Sequence, residues 1–371
     1  MRTAKIATLP ALVVALALAL ALTAGDAGGK APRAPRSFFG IAPQGPPTDT
    51  DAEFMRAGGI GSVRWPVPWD GVQPSASGGY QWDGIDQVVA TAARHRLTVL
   101  PFLYATPSWL APKYTTLPVA NGRQRRAWIA FVRAAVARYG PRGSFWRQHG
   151  PGSDEPLPRT PIRTWQIWNE ANFFYFAFPV SVSGYARTLR LAHRAVKSVD
   201  PGATVLLSGL FGVPDQRGRR GMPAVKFLEA LYRVRGIKSD FDGVALHPYA
   251  VDAEDLEELT KEMREVVLAN HDPGAGLYIT EMGWGSQNDF RQVAFEQGVR
   301  GQVRQLRDSY RFLLRNRRRL NLKGAYWFSW KDLEGSCNFC DSVGLFRAGE
   351  RLRPKPAWHA FVRLAHGRAR P

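Results

Sequence analysis

Thr164-Trp165-Gln166-Ile167-Trp168-Asn169-Glu170 is a short apolar run that ends abruptly on two polar residues. Apart from Gln166, its first five residues are β-branched or aromatic, the composition of a strand buried on both faces. Seven other runs share that character: Phe38–Ala42, Ser62–Trp65, Thr98–Leu103, Thr204–Ser208, Gly243–Leu246, Leu277–Thr280 and Gly324–Ser329. Helical stretches separate them. Ile85–Arg96 is amphipathic, and Arg123–Tyr139 puts Trp128, Phe131, Val132, Ala135 and Val136 on one face. Ser183–Ser198 has Ser181 or Ser183 as its cap and is stopped by Asp200-Pro201-Gly202. Ala224–Val234, Ala253–Ala269, Asp289–Arg315 and the closing Pro356–Leu364 complete the set. Eight strands alternating with helices predict an α/β protein, a (β/α)8 TIM barrel spanning residues 38–371. No G-x-G-x-x-G follows the first strand, which argues against an open dinucleotide-binding sheet. The Gly- and Pro-rich segment 139–161 precedes strand four and is expected on the face away from the strands' C-terminal ends.

In such a barrel, chemistry gathers where the strands end. Arg64 lies near the end of strand two and Asn169-Glu170 at the end of strand four. His247 and Tyr249 end strand six, Glu281 ends strand seven, and Trp330 follows strand eight. Two carboxyl groups facing each other over a barrel mouth suit glycosidic cleavage. One must protonate the leaving oxygen, and the other must attack or shield the anomeric carbon. Arg64 and the Tyr249 hydroxyl are suited to keeping Glu281 ionised. Apolar walls from Trp168 and Phe173, with the Glu281 charge nearby, would raise the pKa of Glu170. Plain structural alternatives stand beside these roles: a rim ion pair for either Glu or for Arg64, and a core histidine for His247. Trp65 and Trp69 read equally as sugar platforms or loop anchors. The run holding Phe173, Phe174, Tyr175, Phe176 and Phe178 reads as an aglycone-side wall or a packed loop.

The Trp168-Asn169-Glu170 triplet, with Glu281 in Tyr278-Ile279-Thr280-Glu281-Met282-Gly283-Trp284, resembles the acid/base and nucleophile strands of clan A glycoside hydrolases. The resemblance runs from Phe38 to about Leu364, and its flanks suggest families five and thirty-nine, such as β-xylosidase-like and exopolysaccharide-cleaving members. It implies a retaining glycosidase with Glu170 as general acid/base and Glu281 as nucleophile. It further implies that Asn169 bonds the sugar 2-hydroxyl, that Arg64 and Tyr249 support the nucleophile, that His247 lines the site, and that Trp330 floors the −1 sugar. By strand alternation Trp327 and Trp330 face opposite sides, and Trp330 is favoured as the platform because it is nearer the rim.

Residues 1–27 read as a signal peptide or N-terminal anchor, with Arg2 and Lys5 ahead of the apolar run Leu9–Thr23, and residues 28–37 as a linker. The expected location is therefore extracellular, or the cell surface if the segment is kept. In that setting Cys337 and Cys340, the only cysteines, are expected to form a local disulfide. The formal net charge of +19 fits a solvated Arg-rich surface or attraction to an acidic glycan. No nucleic-acid motif accompanies it, and the dense run Arg311–Arg319 closes a predicted helix, where cations complement the dipole. The expected partner is a carbohydrate, oligo- or polysaccharide, an acidic one included, with no nucleic acid and no stable membrane span after processing. The chain is expected to act as a monomer, with no cofactor and no metal. A non-catalytic glycan-binding barrel is the competing reading, and a charge-driven polyanion binder is a third.

Overall fold

Nearly every described strand is short and sealed on both faces, as in parallel sheets covered by helices. The computed structural model describes residues 33–217, 220–288, 294–335, 337 and 339–371. Pro35–Pro371 forms one compact unit. The predicted signal segment lies outside the described residues, as does the linker up to residue 32. Among the described residues no helix is long and apolar enough to cross a membrane.

The strands are β1 (Phe39–Ile41), β2 (Ser62–Pro68), β3 (Thr98–Tyr104), β4 (Thr164–Ile167), β5 (Thr204–Leu206), β6 (Gly243–His247), β7 (Gly276–Met282) and β8 (Leu322–Trp327). All neighbours pair in parallel, β1 pairs with β8, and the ring closes where Leu206 of β5 meets Gly243 of β6. The result is a closed eight-stranded parallel barrel wrapped by helices. Its weakest seam is at β5, where pairing lapses after Leu206 and resumes at Leu210–Phe211 alongside Leu246–His247. The Tyr185 hydroxyl fills the gap, donating to the Ile167 carbonyl at 3.0 Å and accepting from the Ser208 amide at 2.5 Å. A side chain thus replaces a missing ladder bond and keeps both buried backbone groups satisfied.

The helices are α1 (Asp49–Ala57), α2 (Trp69–Val72), α3 (Asp83–Arg94), α4 (Gly122–Tyr139), α5 (Ser144–Gln148), α6 (Val182–Val199), α7 (Ala224–Tyr232), α8 (Ala253–Ala269), α9 (Gly298–Asn316) and α10 (Pro356–Leu364). Helix α6 is capped by Ser181, whose side chain accepts from the Gly184 amide. Two expectations need correction. Of the helix expected from Asp289, residues 289–293 lie outside the described residues, and the described helix starts at Gly298, because residues 295–297 are tied to the strand-seven loop: the Gly285 amide donates to the Phe295 carbonyl, and the Gln297 amide to the Gly285 carbonyl. Helix α1 was not foreseen, although Thr48 and Asp51 form a capping box in which each side chain accepts from the other's amide.

The barrel interior is layered. Leu100, Leu206 and Tyr326, with Tyr278 against them, form an apolar plug. Tyr326 takes the space over Gly40, where a Cβ would lie 2.1 Å from its ring. Above this plug the inward side chains turn polar.

Candidate active site

The polar layer is built around Arg64, which is 2 % exposed. Its position halfway along β2 aims the guanidinium up the barrel axis, over the Phe102 ring at 4.1 Å. A buried cation needs acceptors on every side, and Arg64 finds three. Nη1 donates to Glu281 Oε1 at 2.5 Å, Nη2 to Asn169 Oδ1 at 2.6 Å, and Nε to Gln166 Oε1 at 3.1 Å. Gln166 was missed in the sequence. Its signal was there, since a Gln inside a strand sealed on both faces must have a buried partner.

Glu281 reaches this cation through a register change. Tyr278 of β7 faces the apolar plug, so simple alternation would turn residue 281 outward. Between Ile279↔Ala325 and Met282↔Trp327, however, β7 carries one residue more than β8. Such a bulge re-aims a side chain, and here it brings Glu281 inward. The Tyr249 hydroxyl donates to the second Glu281 oxygen at 2.8 Å. Burial, then the Glu281 charge, pushes the Tyr249 hydroxyl well up, so it stays a donor.

Glu170 is presented differently. Trp168 and Glu170 both have left-handed backbone, φ 71° and 38°, which non-glycine residues adopt at a cost. Bonds on both sides hold them there. The Trp168 amide donates to Leu103 O at 2.8 Å and the Glu170 amide to Gly209 O at 3.1 Å, while the Trp168 indole donates to Phe176 O at 2.8 Å. His247 Nδ1 lies 2.8 Å from Glu170 Oε1 and 3.6 Å from Glu281 Oε2. Burial, then the Arg64 charge, pushes the imidazole well down, so it is neutral. Among the described residues its Nε2 is buried without a partner. That leaves Nε2 as a bare lone pair and Nδ1–H as the donor to Glu170. Burial, then the Glu281 charge, raises the Glu170 carboxyl well above the usual range. With Oε1 accepting from His247, the proton belongs on Oε2.

His247 fits only because residue 209 is Gly: a Cβ there would lie 2.0 Å from Nε2. Gly209→Ala is expected to destabilise the fold by about 1–3 kcal/mol through overpacking and to displace the imidazole from Glu170. Denaturant melts with single-turnover assays check both effects.

One atom each from Glu170, His247 and Glu281 lie within 4.8 Å of one another. A cation could bridge such a trio, but Arg64 already supplies a charge at 2.5 Å from Glu281. A second cation there would be repelled, and the donor set fits two carboxyl groups in opposite protonation states better.

Trp330 is not brought to this set. It is 3 % exposed, its indole donates to Asp51 Oδ1 at 2.8 Å, and its rings pack on Phe346 and Trp358. Its capping-box partner on α1 holds it behind the barrel wall. Trp327 is equally buried, donating to Val343 O at 3.1 Å. The residue between them, Phe328, is half-buried and meets the Tyr249 ring at 6.2 Å and Phe339 at 6.0 Å. If Phe328 is the sugar platform, Phe328→Ala should raise KM about tenfold. Trp330→Phe should instead leave KM unchanged and cost about 1 kcal/mol of stability for the lost hydrogen bond. Steady-state kinetics and thermal melts separate the two.

Trp69 is an anchor, fully buried and stacked on Phe131 at 5.2 Å, whereas Trp65 is half-buried. The aromatic loop after Glu170 is open in part, with Tyr175 57 % and Phe178 39 % exposed. Phe173 stacks on Phe211 at 5.0 Å, and Phe211 reaches Tyr249 at 5.7 Å. From the other side Phe295 and Phe339 approach Tyr249 at 5.8 and 5.5 Å. Tyr249, the hydroxyl partner of Glu281, is therefore met by two groups of aromatic rings, only one of which the sequence pointed to. Phe339 lies inside the loop closed by the Cys337–Cys340 disulfide, whose Cα atoms are 5.0 Å apart.

The fold is similar to that of solved glycoside hydrolases. One is a family 39 glycoside hydrolase from Bacteroides cellulosilyticus, with TM-score 0.60, 19 % identity, and coverage of 90 % of this chain and 65 % of that one. The GH39 enzyme from Xanthomonas axonopodis pv. citri gives TM-score 0.64, 18 % identity, and coverage of 91 % and 68 %. Xylanase 10B from Thermotoga maritima gives 0.58, 14 %, and coverage of 88 % and 94 %. The chain thus spans about two thirds of the length of the family 39 proteins and nearly all of the xylanase. No protein-family model matches the sequence, and no curated protein matches it. At these identities the likeness concerns the barrel, and the chemistry must be argued from the side chains.

Proposed function

We propose that this protein is a retaining glycoside hydrolase acting on a β-linked glycan, with Glu281 as nucleophile and Glu170 as general acid/base. One observation carries the reading. Carboxyl oxygens from the ends of β4 and β7 lie within 4.8 Å, one paired with Arg64 and the other buried, its pKa pushed up by burial and then by the Glu281 charge. Retaining enzymes need about 5–5.5 Å between the two groups, whereas inverting ones leave about 6.5–9.5 Å for a water. The solved barrels named above, family 39 and xylanase proteins, support the same substrate class.

In the first step a Glu281 oxygen bonds to the anomeric carbon. The bond to the leaving oxygen breaks, and the Glu170 Oε2 proton moves to that oxygen. Forming the ester removes the Glu281 charge, one of the two causes that raise Glu170, so Glu170 can ionise beside His247 Nδ1–H. It then takes a proton from water as the water oxygen attacks the anomeric carbon and the ester bond breaks. Asn169, held by Arg64, is placed to bond the sugar 2-hydroxyl, and Phe328 rather than Trp330 to face the sugar ring.

The site needs no second chain in this reading, because both carboxyl groups come from one chain. Export rests on the sequence of residues 1–27. The deciding experiment is mass spectrometry after incubation with 2-deoxy-2-fluoro-β-glycosides. A label on Glu281 supports the assignment, and a label on another residue reassigns the nucleophile. Glycan binding with no turnover on any β-glycoside would favour the non-catalytic barrel.

A further inference from the structure

A second feature lies on the opposite end of the barrel. A cleft of about 670 Å³ opens where α1, α3 and α10 end, lined by Arg36, Arg56, Arg94, Arg96 and Arg368 against a single acidic side chain, Glu53. His95 and His366 complete its basic wall. Arginines at helix C-termini ordinarily answer the negative ends of the helix dipoles. Three helix ends amount to about one and a half negative charges, which with Glu53 and the Asp49 beside Arg94 still leaves about one and a half of the five guanidinium charges unanswered.

The partners show the same excess. Arg94 pairs with Asp49 at 2.6 Å. Among the described residues Arg36, Arg56, Arg96 and Arg368 have no ion-pair partner, and Arg36 only reaches the Arg56 carbonyl at 3.4 Å. Arg56 is depressed by burial and then by the Arg36 and Arg96 charges, a sign that like charges are held close together. Two of the lining residues also occupy costly backbone. Arg96 has φ 55° and His366 φ 53°, at helix ends where Gly or Asn would sit without strain. A fold that keeps a guanidinium at such a position gives up stability for the side chain.

We propose that this cleft is a secondary binding site for an acidic polysaccharide, its carboxylate groups held by Arg36, Arg56, Arg96 and Arg368 at the end of the barrel away from the carboxyl pair. The guanidinium fork matches a carboxylate in two parallel hydrogen bonds. The volume calls for a stretch of polymer rather than one small anion. The lining holds no Phe, Tyr or Trp, whereas single-stranded nucleic acid sites stack bases on such rings, which argues against that ligand. The choice of a glycan rests in part on the proposed function, but the binding itself does not.

The test uses the full-length Glu281→Gln protein, so that binding is read without cleavage. Polygalacturonate is titrated at several salt concentrations, with inorganic phosphate, single-stranded DNA and a neutral β-glucan in parallel arms. Arg56→Gln/Arg96→Asn is the test variant. Asn tolerates left-handed backbone, so the variant should melt no lower than its parent. The proposal expects tight polygalacturonate binding, weakened about tenfold or more in the variant, with the salt slope reduced by about two. Introduced into the wild-type background, the same changes should leave turnover of a small neutral glycoside untouched. Equal binding by parent and variant overturns the proposal, as does a variant that melts well below its parent. Tighter binding of DNA or of phosphate alone through the same arginines overturns the ligand assignment. Failure of the neutral-glycoside assay in every protein would count against the hydrolase reading only, because this binding is measured without it.

Discussion

Glu281→Gln is expected to lower kcat/KM on a chromogenic β-glycoside by about four orders of magnitude. The amide has the shape of the carboxylate and can still accept from Tyr249, but it cannot form a glycosyl ester. Stability should suffer less than the loss of a buried ion pair usually implies, which is about 3–5 kcal/mol. Arg64 keeps two of its three acceptors, Asn169 Oδ1 and Gln166 Oε1. The change also reaches Glu170. Losing the Glu281 charge removes the second cause of its raised pKa and leaves burial, the first. Residual turnover should therefore lose its acid at a lower pH than the wild type does. Turnover within a factor of about ten of the wild type would show that the attacking group lies elsewhere.

How much of this was legible in the sequence depended on what placed each residue. Asn169, Glu170, His247, Tyr249 and Glu281 sit on or just past strand ends, and strand ends could be counted, whereas Arg64 lies within β2, which runs on to Pro68 beyond the run read from the sequence. The eight strands were readable because burial on both faces leaves apolar runs little longer than the strands themselves. Glu281 was legible by position, but its inward direction was not, since that depends on one extra residue in β7 opposite β8. Trp330 shows the limit of reading by residue type. An aromatic near the rim looks the same in sequence whether it faces a sugar or an α1 carboxylate, and here Asp51 decides it. Helix α1 and its capping box were overlooked, so the partner that draws Trp330 away was overlooked too. Phe295 and Phe339 were beyond reach for another reason, because loops carry them to Tyr249 and loop paths follow from packing rather than periodicity, and Phe211 sits in a two-residue pairing beside His247 too short to read as a strand.

Glu170→Ala should lower kcat by about 10²–10⁴ on glycosides with poor leaving groups, and by much less where the leaving group departs without a proton. Added azide should restore turnover on such activated substrates and yield a glycosyl azide, because a small anion can reach the ester from the side the carboxylate vacated. The pH behaviour follows from the same proton. In the wild type the acid must be protonated, so kcat/KM falls as pH rises through the raised Glu170 value, and that basic limb should vanish in Glu170→Ala. Stability carries the same sign. Unfolded, a Glu titrates near about 4.3; folded, Glu170 holds its proton to higher pH because of burial and then Glu281. The native state thus binds more protons across that window, and stability falls as pH rises from the unfolded value through the folded one. His247 works from the other side. Its folded value is depressed by burial and then Arg64, so stability is lost as pH falls below the ordinary imidazole range of about 6.5. Glu170→Gln keeps the shape and removes the first penalty only. It should melt higher than the wild type at about pH 9, with the gain fading toward acid, while turnover is lost throughout. A Glu170→Gln protein that melts lower than the wild type at alkaline pH would mean that the carboxyl is ionised and paired in the native state, and a general acid could not then reside there.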